Sequence, residues 1–212
     1  MGFHDYAAIY AVPGLYERVF YSELGMRSSD VVVDLYGQAL RDLGLDPAQQ
    51  RVLDFGAGNG IGGERLRALG VGSLIGLDLE PVARTAAERD RPGLYDDYLT
   101  GDLGDEGSKL LERLSGSGIT AVVALSAIGI GHVPPATLER GLSLLSPEAI
   151  FAFAVKPSLM PDSEEPDGLE SGYPDYLRGL LGRSRELARA TYVHRRHADG
   201  SDDEAVALVG QL

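Results

Sequence analysis

The sequence predicts an α/β protein built as a doubly wound, mostly parallel seven-stranded sheet that ends in an antiparallel hairpin. Two observations carry that prediction. From Arg51 to Val155, short apolar runs alternate with helical patterns, and each run is nearly continuous rather than alternating, as in strands buried on both faces. After that, two longer strand patterns flank a turn at Asp199-Gly200.

Taken in order, residues 4–23 form an aromatic-rich helical region carrying Tyr6, Tyr10, Tyr16, Phe20 and Tyr21, broken near Pro13-Gly14. A helix follows Ser28-Ser29, with Val32, Leu35, Tyr36, Ala39, Leu40 and Leu43 at helical spacing and Gly44 at its C-terminal end. Strand 51–55 runs into a glycine-rich turn and a helix over 61–69. Strand 73–78 meets Glu80-Pro81, a proline suited to a first helical position, and that helix ends before Pro92. A short strand at 97–101, a helix near 106–115 and strand 119–126 come next. Pro134-Pro135 opens a helix that stops before Pro147, and strand 149–155 is the fifth apolar run. Residues 157–171 read as a long acidic, proline-bearing loop. A helix near 172–183 and strands at about 186–195 and 203–210 complete the chain.

At 212 residues, with 44% hydrophobic and 24% charged residues, the chain suits one globular domain spanning 1–212, in which 1–28 is the aromatic N-terminal region and 29–212 the α/β core. No signal-like or membrane-spanning run is visible, so a cytoplasmic location with no membrane partner is expected. The absence of cysteine excludes disulfides, thiolate metal sites and a cysteine nucleophile. With 32 acidic against 19 basic residues the formal net charge is −13, which argues against a nucleic-acid partner and favours small molecules, although it also serves solubility. An oligomer is compatible with the sequence.

The turn after the first strand reads Asp54-Phe55-Gly56-Ala57-Gly58-Asn59-Gly60. Glycine at every second position lets the backbone take positive φ and approach a nucleoside. In an open α/β sheet, ligands sit beyond the carboxyl ends of the strands. Two more strand ends there carry carboxylates: Asp78 closes the second strand and Asp102 follows the third in Gly101-Asp102-Leu103. Read alone, Gly58-x-Gly60-x-x-Gly63 also satisfies a dinucleotide pattern, which leaves Asp54 and Gly56 without a role.

The register Asp54-x-Gly56-x-Gly58-x-Gly60, with Gly76-Leu77-Asp78-Leu79-Glu80-Pro81, Gly101-Asp102-Leu103 and the terminal hairpin, resembles the class I S-adenosylmethionine-dependent methyltransferases, a Rossmann-like family. The stretch from Gly93 to Tyr98 into Gly101-Asp102-Leu103 is similar to a small methyltransferase-like branch acting on small molecules. The resemblance implies S-adenosylmethionine as cofactor, S-adenosylhomocysteine as product and no metal. It implies that backbone around Gly56, Ala57, Gly58 and Asn59 approaches the methionine portion while Asp54 orders the loop. Asp78 would hold the ribose, Leu79 would pack on adenine, and Asp102 with Leu103 would read its edge, with Ser126 and Ala127 completing the site.

Methyl transfer to an O, N or C nucleophile of a small molecule is the activity implied. A protein of the same fold that binds the cofactor without transferring methyl, as a sensor or cyclase-like scaffold, and a nicotinamide oxidoreductase are the alternatives. His132 is a candidate general base or, equally, a local hydrogen-bonding residue before Pro134. Tyr6, Tyr10, Tyr16 and Tyr21 form a candidate lid over cofactor and substrate, or else core packing, and Ile130 is a candidate substrate contact. Val133-Pro134-Pro135-Ala136 lacks the flanking residues of the nucleic-acid amino-methyltransferase motif. Lys156 reads most simply as a solvated strand-end lysine. His194 and His197 lack a third metal ligand.

Overall fold

The computed structural model describes residues 5–197 and 199–212; the first four residues of the aromatic region, and Ala198, lie outside the described residues. The seven strands are β1 (Arg51–Phe55), β2 (Ser73–Asp78), β3 (Asp97–Thr100), β4 (Ala121–Ala124), β5 (Ile150–Val155), β6 (Arg185–Arg196) and β7 (Asp202–Gln211). They form one sheet in the order β3-β2-β1-β4-β5-β7-β6. The first five are parallel; β7 inserts antiparallel between β5 and β6. Strand order reverses between β1 and β4, which opens a crevice at their carboxyl ends.

Adjacent residues of these strands feed two different cores, as the period of two requires. Leu53, Ile75, Val122, Phe151 and Phe153 pack on one face. They meet α6 (Pro135–Leu142) and α8 (Tyr173–Gly182) through Leu138, Leu142, Leu177 and Leu180. Val52, Leu74, Val123, Ile150 and Ala152 pack on the other face. Their partners are α2 (Ser28–Leu43) and α3 (Ile61–Leu69), through Val32, Tyr36, Leu40 and Leu66. Burial on both faces explains why the parallel strands read as unbroken apolar runs.

The N-terminal region is an α-helix, α1 (Tyr6–Tyr10), followed by a π-helical segment over Glu17–Glu23. Ile9, Tyr10, Tyr16 and Phe20 form a third cluster with Ala83, Ala86 and Ala87 of α4 (Pro81–Asp90). At its end the segment ties to the sheet's outer strand: the Arg27 amide donates to the His194 carbonyl at 2.8 Å, and the Arg196 amide to the Leu24 carbonyl at 2.7 Å.

Three element boundaries differ from the sequence expectation. The helix expected near 106–115 shrinks to α5 (Leu110–Leu114). Asp105 and Ser108 accept from the backbone amides of Gly107 and Leu110, at 2.9 and 3.2 Å, holding that stretch in turns. The strand expected over 119–126 is confined to Ala121–Ala124, with Thr120 still hydrogen-bonded to Arg51 and Ile150 ahead of it, and it stops where Leu125 and Ser126 turn to line the crevice. The loop at 157–171 contains a 3-10 turn (Pro157–Leu159) and α7 (Pro166–Glu170), each with proline at its first position. Among the described residues no helix is long and apolar enough to cross a membrane.

Candidate active site

The crevice at the strand carboxyl ends is a cleft of about 700 Å³, within the size range of small-molecule sites. Its floor comes from the chain leaving β1 and β4, at Gly56 and at Leu125–Gly129. One wall carries Asp78, Leu79, Asp102 and Leu103 from the ends of β2 and β3; Tyr6, Tyr10, Tyr16 and Met26 form the roof. The opposite wall carries Lys156 from the end of β5 and His194 and Arg195 from β6. His132 and Ile130 line the cleft from the loop after β4.

Gly56, Gly58 and Gly60 adopt φ of 77, 55 and 90°, the left-handed region that the turn demands. Of the three only Gly56 lines the cleft. A Cβ at Gly56 would collide with the Ala127 methyl, and one at Gly58 would lie 2.5 Å from the Tyr10 hydroxyl. The Gly58 amide donates to Asp78 Oδ2 at 2.8 Å and the Glu80 amide to Asp78 Oδ1 at 2.9 Å. Each Asp78 oxygen thus has one fixed backbone donor, and the carboxylate still borders the cleft. Burial raises its pKa, partly offset by those two amides.

Beneath this wall lies Asp54, 1% exposed. It does not line the cleft; its Oδ2 accepts from the Tyr95 hydroxyl at 2.7 Å. Burial pushes the Asp54 carboxyl up to about 7, against the lowering effect of the Tyr95 hydrogen bond, with the Asp78 charge adding to the rise. Ala57 and Asn59 also lie outside the cleft lining: Ala57 packs in the third cluster, and Asn59 Nδ2 donates to Glu17 Oε1 at 2.7 Å. That glutamate also receives Arg91 at 2.8 Å, so the glycine loop is fastened to the π-helical segment.

Leu79 is 64% exposed and Ile130 is 47% exposed, large apolar side chains presented to the cleft. Asp102 Oδ1 accepts from the Gly104 amide at 2.6 Å, while Leu103 is buried. Ser126 and Ala127 border the cleft as well. Among the expected roof residues, Tyr6, Tyr10 and Tyr16 reach it. Tyr21 lies outside the lining and donates to Ser29 Oγ at 3.1 Å. The His132 ring sits 6.1 Å from that of Tyr6 and packs over Gly129.

The β6 wall is what the sequence reading did not anticipate. Consecutive residues of a strand point to opposite faces, yet His194 and Arg195 both line the cleft. The register of β6 on β7 shifts between Val193 and Arg195. A bulge there turns both side chains to the same side. His194 Nδ1 shares a 2.6 Å hydrogen bond with Ser28 Oγ, which lies 2.7 Å from the Tyr192 hydroxyl. Burial, reinforced by the Arg195 charge, pulls the His194 imidazole down to about 4, so it is neutral at pH 7. Among the described residues no group of three His, Asp or Glu is placed to hold a metal ion.

Neither a protein-family model nor a curated protein sequence matches the chain. Solved structures do. The N-methyltransferase NodS from Bradyrhizobium japonicum WM9, in complex with S-adenosylhomocysteine, aligns with a TM-score of 0.66 at 11% identity, over 99% of this chain and 97% of that one. An O-methyltransferase from Bacillus cereus, also with S-adenosylhomocysteine, aligns at 0.56 and 13% identity, over 87% and 80%. The CurJ carbon methyltransferase aligns at 0.61 and 15% identity, over 95% of this chain and 58% of that one. The three names span nitrogen, oxygen and carbon acceptors, so what they share with this chain is the scaffold. The chain has the fold of the class I S-adenosylmethionine-dependent methyltransferases.

Proposed function

We propose that the chain transfers a methyl group from S-adenosylmethionine to an oxygen, nitrogen or carbon nucleophile of a small molecule. The observation that carries this reading is the β2–β3 wall, where a half-buried carboxylate (Asp78) with one backbone donor on each oxygen adjoins an exposed leucine (Leu79) beside the Gly56 turn. A nucleoside matches that surface. Asp78 has lone pairs left for ribose hydroxyls, Leu79 offers an apolar face to a purine, and Asp102 with the Leu103 backbone can meet the purine edge. Gly56, Ser126 and Ala127 border the space left for the methionine portion.

The dinucleotide alternative finds less support. Gly58, Gly60 and Gly63 do not line the cleft, and the space above them is filled by Tyr10, by Leu94 with Tyr95 and Arg91, and by Tyr95 respectively. A small acceptor is supported by the roofed cleft of about 700 Å³ and by the net charge of −13.

When bound, the cofactor supplies a methyl group activated by a positive sulfur. The protein's contribution is to hold the two partners in line and to exclude water, an orientation effect that can supply ~7–11 kcal/mol. Floor residues Ile128 and Gly129 and roof residues Tyr6 and Tyr16 confine the acceptor between the walls. Where the nucleophile must lose a proton, His132, an imidazole on the cleft lining, would take it. His194 is the second imidazole on the cleft.

Calorimetry tests the cofactor: S-adenosylhomocysteine should bind and NADPH should not. Formation of S-adenosylhomocysteine over a panel of phenols, amines and acidic carbons then tests transfer. Tight NADPH binding without response to the sulfur nucleoside would overturn the reading. Cofactor binding with no turnover on any acceptor would favour a non-transferring protein.

A further inference from the structure

One imidazole of the cleft is held from behind by a chain of hydroxyls. The Arg27 amide donates to the His194 carbonyl at 2.8 Å, which sets Ser28, the first residue of α2, against the His194 ring. Ser28 is fully buried; its Oγ lies 2.6 Å from His194 Nδ1 and 2.7 Å from the Tyr192 hydroxyl. Among the described residues that contact is the ring's one hydrogen bond, and Nε2 is the polar atom left for the cleft that His194 lines. Among the described residues, the buried side-chain polar atoms without a partner are Glu17 Oε2 and Asn59 Oδ1. His194 Nε2 is not one of them, so it is open to the cleft.

We propose that the Tyr192–Ser28–His194 chain fixes the His194 proton on Nε2, and that this N–H holds a carbonyl oxygen of the methyl acceptor, a small carbonyl compound. This rests on the methyl-transfer reading above and names its substrate class. The phenol is the most acidic donor in the chain. Burial raises Tyr192 to about 12, against the lowering effect of its bond to Ser28, so it keeps its proton at pH 7. It donates to Ser28 Oγ. The serine hydroxyl has one proton to give and directs it to Nδ1, which must then be the bare nitrogen of the ring. Run in the opposite direction, the chain would leave the phenol proton without an acceptor within it.

The surroundings keep the ring neutral. Arg195 beside it on β6 and Lys156 from the end of β5 disfavour an imidazolium; Asp203 of β7, which pairs with both cations, favours one. Burial is the largest influence and sets the outcome, a group that titrates at about 4. On the Ser28 side stand Arg27 and the N-terminus of the 16-residue α2, whose dipole also opposes a positive ring. A neutral imidazole held in this way is a hydrogen-bond donor able to polarise a carbonyl. An ammonium group has no lone pair to offer it. An alkyl group in the same place would leave Nε2–H unpaired under the roof, and a site built around a hydrogen bond rejects the analogue that cannot make it.

Two measurements on the full chain test this. Histidine nitrogen NMR, with the His194 signals assigned through His194→Gln, should show a neutral ring protonated on Nε2 between pH 6 and 8. Calorimetry on protein saturated with S-adenosylhomocysteine then compares ketones with their alkyl counterparts: 4-hydroxyacetophenone with 4-ethylphenol, and 3-hydroxyacetophenone with 3-ethylphenol. The ketones are expected to bind about fivefold more tightly or better. His194→Phe should abolish that preference while leaving the ethylphenols within twofold of the parent, which a merely structural role would not do. His194→Gln, whose amide nitrogen can stand in for Nε2, should retain part of it. Tyr192→Phe, at the half-buried end of the chain, should shift the ring towards the Nδ1–H form and reduce the preference at least twofold; it keeps the proposal testable if His194→Phe does not fold. A parent ring protonated on Nδ1, equal binding of ketones and ethylphenols, a preference that survives His194→Phe, or no ketone binding to the cofactor-loaded protein would overturn it. If S-adenosylhomocysteine itself fails to bind while the tautomer and the ketone preference are seen in the cofactor-free protein, the carbonyl site stands and the methyl-transfer reading falls.

Discussion

Asp78→Asn removes one charge at nearly constant shape and so isolates what the β2 carboxylate does. Its two oxygens receive the Gly58 amide at 2.8 Å and the Glu80 amide at 2.9 Å. Asparagine offers one oxygen, so its amide nitrogen must face one of these donors or turn away. Either way, a ribose hydroxyl loses its charged acceptor, worth ~1.5–3 kcal/mol. That corresponds to a loss of roughly 10- to 150-fold in affinity for S-adenosylhomocysteine. The unpaired backbone donor separately costs ~1–3 kcal/mol of folding stability. Calorimetry reads the first effect and urea denaturation the second, and affinity should be measured well below the variant's melting temperature. Glu80→Gln, on the same wall but changing a side chain that makes neither of those bonds, should change affinity less than threefold. An Asp78→Asn protein that is folded and binds S-adenosylhomocysteine within twofold of the parent would refute the ribose assignment.

The buried ionisable groups predict a two-sided pH profile of stability. Asp54 is raised from 3.8 to about 7, so its contribution is complete below pH 3.8 and is lost as pH rises through 7. At ~1.36 kcal/mol per pH unit this amounts to about 3 kcal/mol between pH 5 and 9, and Asp54→Asn should flatten that alkaline limb in urea melts. His194 is lowered from 6.5 to about 4, so its contribution is present above pH 6.5 and is lost as pH falls towards 4; His194→Gln should flatten the acid limb. Parallel profiles for parent and variants would contradict both assignments. His132→Gln should slow single-turnover formation of S-adenosylhomocysteine with a phenolic acceptor by ~100-fold or more, with cofactor affinity unchanged. An unaltered rate would remove His132 from proton transfer.

What could be read from the sequence was whatever depends on local pattern. The parallel strands show as apolar runs because both faces are buried, Asp78 and Asp102 stand where two of those runs stop, and Asp54, inside β1, is marked by the glycines that follow Phe55. Contacts between distant segments were not legible. Nothing near Gly58 signals that Tyr10 would cover it, since the two are brought together only by the docking of α1 on α4. The β6 bulge leaves no mark in a strand pattern, so His194 and Arg195 could not be placed on one wall. Asp105 and Ser108, which shorten α5, compete with helix only once their side chains fold back on the backbone.

The attachment of residues 24–27 to the carboxyl-terminal half of β6 has a further consequence. β6 is the last strand of the sheet, and an open strand edge invites pairing with another chain. Here the backbone groups at His194 and Arg196 are already taken by Arg27 and Leu24, while Arg185 and Arg189 put charge along the remainder. The peptide that roofs the cleft is therefore also the selvedge of the sheet. Shape at the ligand site and resistance to edge-to-edge association depend on the same short stretch of chain.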